Sequence, residues 1–347
     1  DPMYSKGLCQ EVDGRFLIQN PPSRYLEENE MDKIASYPYQ RDLHPYHAKD
    51  GKVKALETIK FSIMTHHGCW GECNYCAIAA HQGRTIRTRS EENILSEAKH
   101  FTTLKDFKGI ISDVGGPTAN MYGYECKKKM NLGTCIDNKR CVDAHRLCRT
   151  MKVDHSRNIK LLKDIRAIPK VKKAFIASGI RYDFIAADKN HGKEYLKEII
   201  DHHISGQMKI APEHTSDEVL HHMGKPGKQS LIEFKKMFDD LNKESGKKQF
   251  LTYYLIAAHP GCKESHMHEL KQFTTHELKI NPEQAQVFTP TPGTYSAVMY
   301  YTELDPFTKK KIFVEKDTLR KERQKEIVVA KKSFCKTKQN SNSGMQG

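Results

Sequence analysis

The sequence predicts an α/β fold: a partial, TIM-like (β/α)6 barrel that stays open, with a cysteine-rich insertion after the second strand. Three observations predict it. Short apolar runs recur along the chain, each followed by a loop and then by an amphipathic stretch with helical spacing, and there are six such units. The unusual segments (cysteines, paired glycines, His-Pro) come directly after apolar runs, where parallel α/β folds place their chemistry. A closed barrel wants eight units, so six leave it open.

Residues 1–55 are rich in proline and tyrosine, as in Asn20-Pro21-Pro22, Tyr37-Pro38-Tyr39 and His44-Pro45-Tyr46. They read as an extended arm on a larger body, apart from a short amphipathic piece over 27–35. The barrel is expected over 56–300. Its first unit is the run 59–64, a loop with three cysteines, and a helix capped by Ser90 with Ile94, Leu95, Ala98 and Phe101 as its stripe. The second run, 109–114, ends in Gly115-Gly116-Pro117-Thr118. The insertion, about 122–155, follows, then a helix over 156–167 stopped by Pro169. The third run, 171–178, ends in Gly179-Ile180-Arg181-Tyr182-Asp183 and leads to a helix over 193–203. The fourth, 207–211, ends in Pro212-Glu213-His214; its helix starts at Ser216 and closes at Gly224. A further helix begins at Ser230. The fifth run, 250–258, ends in His259-Pro260-Gly261 before a helix over 264–279. The sixth, 284–288, ends in a proline- and threonine-rich loop over 289–294. Residues 301–335 form a basic extension with a helix over 317–332, and the polar residues 336–347 are expected to be disordered.

Composition narrows the function. Hydrophobic residues make up 37% and the mean hydropathy is −0.70, which is lean, but the apolar residues are grouped and can build a core. No apolar run of about 18 residues exists, so no membrane partner is expected. No secretory leader is visible, so the expected location is cytoplasmic. Ten cysteines in such a chain point to metal or redox chemistry rather than a disulfide framework. The formal charge of +14 suits an acidic partner, such as nucleic acid or a phosphorylated substrate, and equally a solvated lysine-rich surface. The start, Asp1-Pro2-Met3, is not a natural initiator, and suggests that an N-terminal part is missing.

The chemistry centres on Cys69-Trp70-Gly71-Glu72-Cys73-Asn74-Tyr75-Cys76, a C-x3-C-x2-C spacing. Thiolates hold zinc or iron–sulfur clusters. One alternative is a zinc site completed by His66, His67 or His81. The other is a 4Fe-4S cluster, which three cysteines leave with one open iron. Here the sequence resembles the radical S-adenosylmethionine (SAM) superfamily, whose signature is C-x3-C-x-Φ-C with an aromatic Φ, here Tyr75. The strings FSIMTHHGCWGECNYCAIAAHQGR, DVGGPTANMYG, IASGIRYD, KIAPEHTSDEVLHHMGKPG, AAHPGC and FTPTPGTYSAVMYYT resemble the YgiQ-type family within it, over roughly residues 15–330. Members of that family usually carry further N- and C-terminal parts, so the chain looks like their central catalytic portion.

The resemblance implies a reaction and a set of roles. The open iron chelates SAM, and an electron from the cluster cleaves it to methionine and a 5′-deoxyadenosyl radical that abstracts hydrogen. An external electron donor of flavodoxin or ferredoxin type is implied. Cys69, Cys73 and Cys76 hold the cluster, and Tyr75 packs near the adenine. Gly115 and Gly116 let a ligand approach the backbone closely. They occupy the superfamily's Gly-Gly-Glu position, which contacts the SAM amino group. Pro117 stands where the carboxylate belongs, so that contact passes to backbone carbonyls or Thr118. Ser178 and Glu213 suit the ribose hydroxyls and Arg181 the methionyl carboxylate. One of Arg84, Arg87 and Arg89 is a candidate for a substrate anion or the SAM carboxylate; a solvated basic face is the alternative.

Cys126, Cys135, Cys141 and Cys148 form a second group of four thiols within 23 residues. An auxiliary 4Fe-4S cluster, a structural zinc and unligated thiols are the open alternatives, with His145 and His155 as substitute ligands. Cys262 follows the fifth strand and either faces the cavity or is an ordinary buried thiol. Cys9 and Cys335 read as incidental, and the doublets His202-His203 and His221-His222 as surface residues. Two other functions compete: a non-catalytic zinc protein that binds nucleic acid, and a metal-free small-molecule enzyme, which leaves the cysteine loop unexplained.

Overall fold

The computed structural model describes residues 2–135, 140–142 and 147–329. The N-terminal segment is more than an extended arm. Leu8–Val12 (β1) and Arg15–Gln19 (β2) form an antiparallel hairpin. Asp13 and Gly14 turn it, with φ of 50° and 72°, the left-handed pair a two-residue hairpin requires. Glu28–Ala35 (α1) matches the expected amphipathic piece. It is tied to the barrel by Ser90 N–H, which donates to Asp32 Oδ1 at 3.0 Å. Lys54–Ile59 (α2) then leads inward.

The barrel strands are short. Ser62–Met64 (β3) pairs parallel with a later strand, while His66–His67 (β4) continues outward. Ile78–Gln82 (α3), Arg87–Thr88 (β5) and Glu91–Phe101 (α4) follow. Ser90 caps α4, accepting from Asn93 N–H at 3.1 Å, as its residue type predicts. The second run is split into Ile110–Ile111 (β6) and Asp113–Gly115 (β7). Lys127–Leu132 (α5) lies in the insertion and Ser156–Ala167 (α6) after it. Lys173–Ala174 (β8), Tyr182–Ala187 (α7) and Gly192–Glu198 (α8) make the third unit, with π-helical Ile199–His203 extending α8. Gln207–Glu213 (β9), Asp217–Met223 (α9) and Lys228–Glu244 (α10) make the fourth. Phe250–Ala257 (β10) and Glu264–His276 (α11) make the fifth, and Gln286–Val287 (β11) and Tyr295–Thr302 (α12) the sixth. Thr318–Val328 (α13) is the expected basic helix; residues 330–332 of that expectation, and the tail, lie outside the described residues.

Parallel pairing runs in chain order. β3 pairs with β7, β6 with β8, Ile180 bridges to Ile210 in β9, and β9 pairs with β10 and β10 with β11. Six parallel positions in sequence order are the expected partial barrel. Among the described residues β11 and β3 do not pair, so the barrel is open. The main core sets Ile63, Val114 and Ile210 of the strands against Phe101, Leu162, Ile165 and Phe234 of the helices. A second core joins α9, β10, α11 and α13 through Leu220, Leu255, Met267 and Val328. A third core is built around Trp70 and attaches the insertion. One expectation fails here: His203 is a core residue, its Nδ1 2.6 Å from Ala174 O and its Nε2 3.3 Å from Glu198 Oε1. Among the described residues no helix is long and apolar enough to cross a membrane.

Candidate active site

The cysteine loop leaves the barrel through a narrow neck. β4 and β5 pair antiparallel, His66 opposite Thr88 and His67 opposite Arg87, so residues 68–86 form a closed excursion. Gly68, at φ 86°, begins it; a Cβ there would sit 2.3 Å from Thr85 O. Only glycine fits such an approach in this conformation. Trp70 is fully buried between Tyr124 and Phe184, with ring centroids 4.8 and 5.2 Å away. Its indole N–H donates to Glu125 Oε2 at 3.1 Å. Asn74 fixes the other arm. Its N–H donates to Met223 O and its side-chain amide to His222 O, both at 2.8 Å, while its carbonyl accepts from Ser296 N–H at 2.8 Å. Asn74 Oδ1 also accepts from Arg140 of the insertion.

These anchors turn the Cys69 and Cys73 thiols toward one space, and Cys76 stays on the same turn, its N–H donating to Cys73 O at 3.0 Å. An atom at the Gly71 Cβ position would lie 3.3 Å from Cys69 Sγ, 3.7 Å from Cys73 Sγ and 2.8 Å from Arg181 Nη1. Arg181 Nη1 donates to Cys73 Sγ at 3.7 Å, and Thr118 Oγ1 lies 3.6 Å from Cys69 Sγ. Burial pushes the Cys69 thiol up and Cys76 up to about 11, and the nearby Cys73 sulfur adds to both. Close, half-buried thiols that resist ionisation together need a positive partner to become thiolates. A metal core supplies that, so the donor set fits an iron–sulfur cluster.

The opposite wall comes from later strand ends. Arg181 is gripped by Asp183, Nε to Oδ1 at 2.8 Å and Nη2 to Oδ2 at 2.6 Å. Asn120 clamps its backbone, accepting from Arg181 N–H at 2.9 Å and donating to Arg181 O at 3.0 Å. Behind Asn120 stands His155, whose Nδ1 is 2.8 Å from Asp188 Oδ2. Ser178 is engaged: its hydroxyl donates to Asp113, which also accepts Ala177 N–H at 2.8 Å. Ser178 Oγ lies 2.9 Å from where a Gly115 Cβ would be, and the His66 ring 2.6 Å from a Gly116 Cβ. The glycine pair is therefore demanded by side chains as well as by any ligand. Glu213 ends β9 with φ 68°, in the left-handed region, and accepts from the Tyr75 hydroxyl at 2.9 Å. Burial raises its pKa, while Lys225 and Tyr75 act the other way. The Tyr75 ring meets His259 edge-on at 6.2 Å.

The structure brings together Cys69, Cys73, Cys76, Thr118 and Arg181, with Tyr75 on Glu213 and Ser178 on Gly115, and it moves other candidates away. Arg84 pairs with Glu72, Arg87 with Glu27 at 2.8 Å, and Arg89 with Glu97 at 2.7 Å and Met64 O at 2.8 Å. All three arginines carry a carboxylate partner and brace the loop's neck. Cys262 does not face the cavity: it packs in the second core, 3.4 Å from Met267 Sδ, and burial pushes its thiol up to about 12. His155 is not a spare ligand, since both ring nitrogens are engaged. In the second cysteine group, Cys126 and Cys148 meet at Thr150 Oγ1, 3.7 and 3.2 Å away, and Cys141 O accepts Cys148 N–H at 2.8 Å. Cys135 is half-buried; His145 and Cys335 lie outside the described residues. Four site residues escaped the sequence reading: Asn74, Asp113, Asn120 and Lys225. All four stand inside the strings quoted above. Lys225 follows Gly224, and it is buried to 2% exposure.

Residues 63–274 match the family model described as the radical SAM superfamily. The chain belongs to the radical SAM superfamily. Residues 1–62 match the radical SAM N-terminal model and 283–345 a domain of unknown function, DUF3362. A UPF0313 protein of Fusobacterium nucleatum is 59% identical over 332 residues, 96% of this chain and 58% of that protein. One of Clostridium perfringens is 43% identical over 328 residues, 94% of this chain and 49% of that protein. UPF0313 is the YgiQ-type family, and this radical SAM chain spans about half the length of the curated relatives it matches. Among solved structures, the radical SAM methyltransferase TsrM of Kitasatospora setae has a TM-score of 0.45 at 12% identity, over 73% of this chain and 42% of that one. The cobalamin-dependent radical SAM enzyme OxsB has a TM-score of 0.45 at 12% identity, over 86% and 35%.

Proposed function

We propose that this radical SAM enzyme holds a 4Fe-4S cluster on Cys69, Cys73 and Cys76 and binds SAM between that loop and the ends of the later strands. The observation that carries the reading is the seat of the Cys69 and Cys73 thiols, against Thr118 and Arg181, with Cys76 held on the same turn by its N–H to Cys73 O. When bound, the cluster and SAM supply one-electron reductive cleavage, giving methionine and a 5′-deoxyadenosyl radical that takes hydrogen from a substrate. The chain's own residues do the positioning. Asp183 and Asn120 fix the Arg181 guanidinium beside Cys73, where it meets a carboxylate or thiolate. Tyr75 presents its ring edge to the cavity and steadies Glu213. Glu213 and Ser178 offer oxygens to hydroxyls, Ser178 with Asp113 behind it. The Gly115–Thr118 turn supplies carbonyls and a hydroxyl for an amino group. Trp70 and the insertion close the loop's outer side against water.

The electron comes from a flavodoxin- or ferredoxin-type donor. The substrate is read as anionic and macromolecular, RNA first, which the charge of +14 supports. Cys126, Cys135, Cys141 and Cys148 are read as a second metal site, an auxiliary cluster or zinc; among the described residues no three such side chains already stand at the spacing of a single bound ion, so the site would assemble with its metal. Anaerobic reconstitution of the chain tests the whole. Iron and sulfide uptake, and 5′-deoxyadenosine formed from SAM under reductant, are expected, with a Cys73→Ala variant falling at least a hundredfold. Zinc in place of iron, or iron-loaded protein that forms no 5′-deoxyadenosine, sinks the reading. Stimulation by RNA but not by free nucleotides is the expected mark of the RNA substrate.

A further inference from the structure

We propose that Lys225 is the second cation of the cysteine loop's cradle, the counterpart of Arg181, and that its fixed charge sets how readily the cluster accepts an electron. The inference rests on the cluster reading above.

The position follows from Asn74. The last turn of α9 clasps this residue, Met223 O and His222 O each taking one of its donors at 2.8 Å. Gly224 lies against the same side chain, its Cβ position 3.5 Å from Asn74 Cγ. Asn74 sits between Cys73 and Cys76, so the next residue of the clasp, Lys225, stands beside the loop. Lys225 N–H donates to Leu220 O at 3.0 Å, and the side chain is 2% exposed.

The charges around it are Glu213, Asp183 and the Cys76 sulfur. Asp183 is already taken by Arg181 at both oxygens, and Glu213 Oε1 accepts from Tyr75. Among the described residues no carboxylate closes an ion pair with Lys225. An ammonium this nearly buried, with no carboxylate closed on it, is costly. The cost is offset where negative charge arrives, and a cluster on three thiolates brings it. Arg181 serves the Cys73 side at 3.7 Å, and Lys225 serves the Cys76 side. In the redox step a one-electron donor of flavodoxin or ferredoxin type is oxidised and the cluster is reduced. No bond forms or breaks, and the cluster gains one negative charge. A fixed cation stabilises the reduced form more than the oxidised one, which raises the potential.

The test uses the full chain, reconstituted anaerobically as parent, Lys225→Met and Lys225→Arg. Each is poised with titanium(III) citrate and read by electron paramagnetic resonance. Lys225→Met is expected to show a reduced-to-oxidised ratio about tenfold lower at the same poise, a 59 mV shift for one electron. Lys225→Arg is expected to stay near the parent. Failure of Lys225→Met to hold iron while Lys225→Arg holds it also supports the charge. An unchanged midpoint in iron-loaded Lys225→Met overturns the proposal, as does equal failure of both variants to load. A parent that takes up no iron overturns the cluster reading itself, and this inference with it.

Discussion

Tyr75 and Glu213 are 138 positions apart in the chain, yet hydroxyl and carboxylate meet at 2.9 Å. The contact joins the residue inside the cysteine motif to a strand end whose backbone is held in a sparsely populated conformation. Tyr75→Phe removes the hydroxyl and leaves a buried carboxylate one donor short, a loss of about 1–2 kcal/mol. SAM affinity of the reconstituted enzyme, measured by calorimetry, is expected to fall about tenfold with iron content unchanged. Unaltered affinity argues against a ligand-facing role for the pair. At this scale the sequence was informative where spacing dictates chemistry. Three cysteines at C-x3-C-x2-C, an aromatic before the third, and Arg181 at a strand end all lie together. It was uninformative where a role depends on a distant partner. Ser178 reads as a free hydroxyl until Asp113 is seen beside it, and a single lysine among 57 basic residues reads as surface until its burial is known.

The elements show the same division. Strand–helix alternation predicted the order of the parallel strands. The β1–β2 hairpin was missed although Asp13-Gly14 between apolar residues is its signal; the surrounding prolines suggested an arm instead. Helix α7 was missed because six residues carry no readable period. The insertion, poor in apolar residues, gave no hint that it docks on the loop. Its docking depends on Glu125, which accepts from Trp70 Nε1, Ile86 N–H and Cys126 N–H, and pairs with Lys129 at 3.0 Å. Glu125→Ala leaves these buried donors without acceptors and is expected to cost about 2–3 kcal/mol. Hydrogen exchange should then quicken in residues 69–76 and 125–132 alike. Quickening in the insertion alone would separate it from the loop.

For the whole molecule, stability is linked to pH through buried imidazoles. Burial pushes His66, His214 and His259 down to about 3. In the unfolded chain they titrate near the ordinary value of about 6.5. Between those values the unfolded state binds protons that the folded state refuses, so stability is complete above about pH 6.5 and declines as pH falls toward 3. At pH 5 the loss is roughly 1–2 kcal/mol per histidine. Urea unfolding of metal-free protein is expected to show a lower midpoint at pH 5 than at pH 7.5; equal midpoints would mean the three rings are reached by water. The open side of the barrel has a temporal consequence. Asn74 bridges it, receiving Ser296 of the sixth unit on its carbonyl. Because synthesis proceeds from the N-terminus, the cysteine loop leaves the ribosome long before residue 296 exists. The loop therefore takes its final shape only after residue 296 has been made and can reach Asn74.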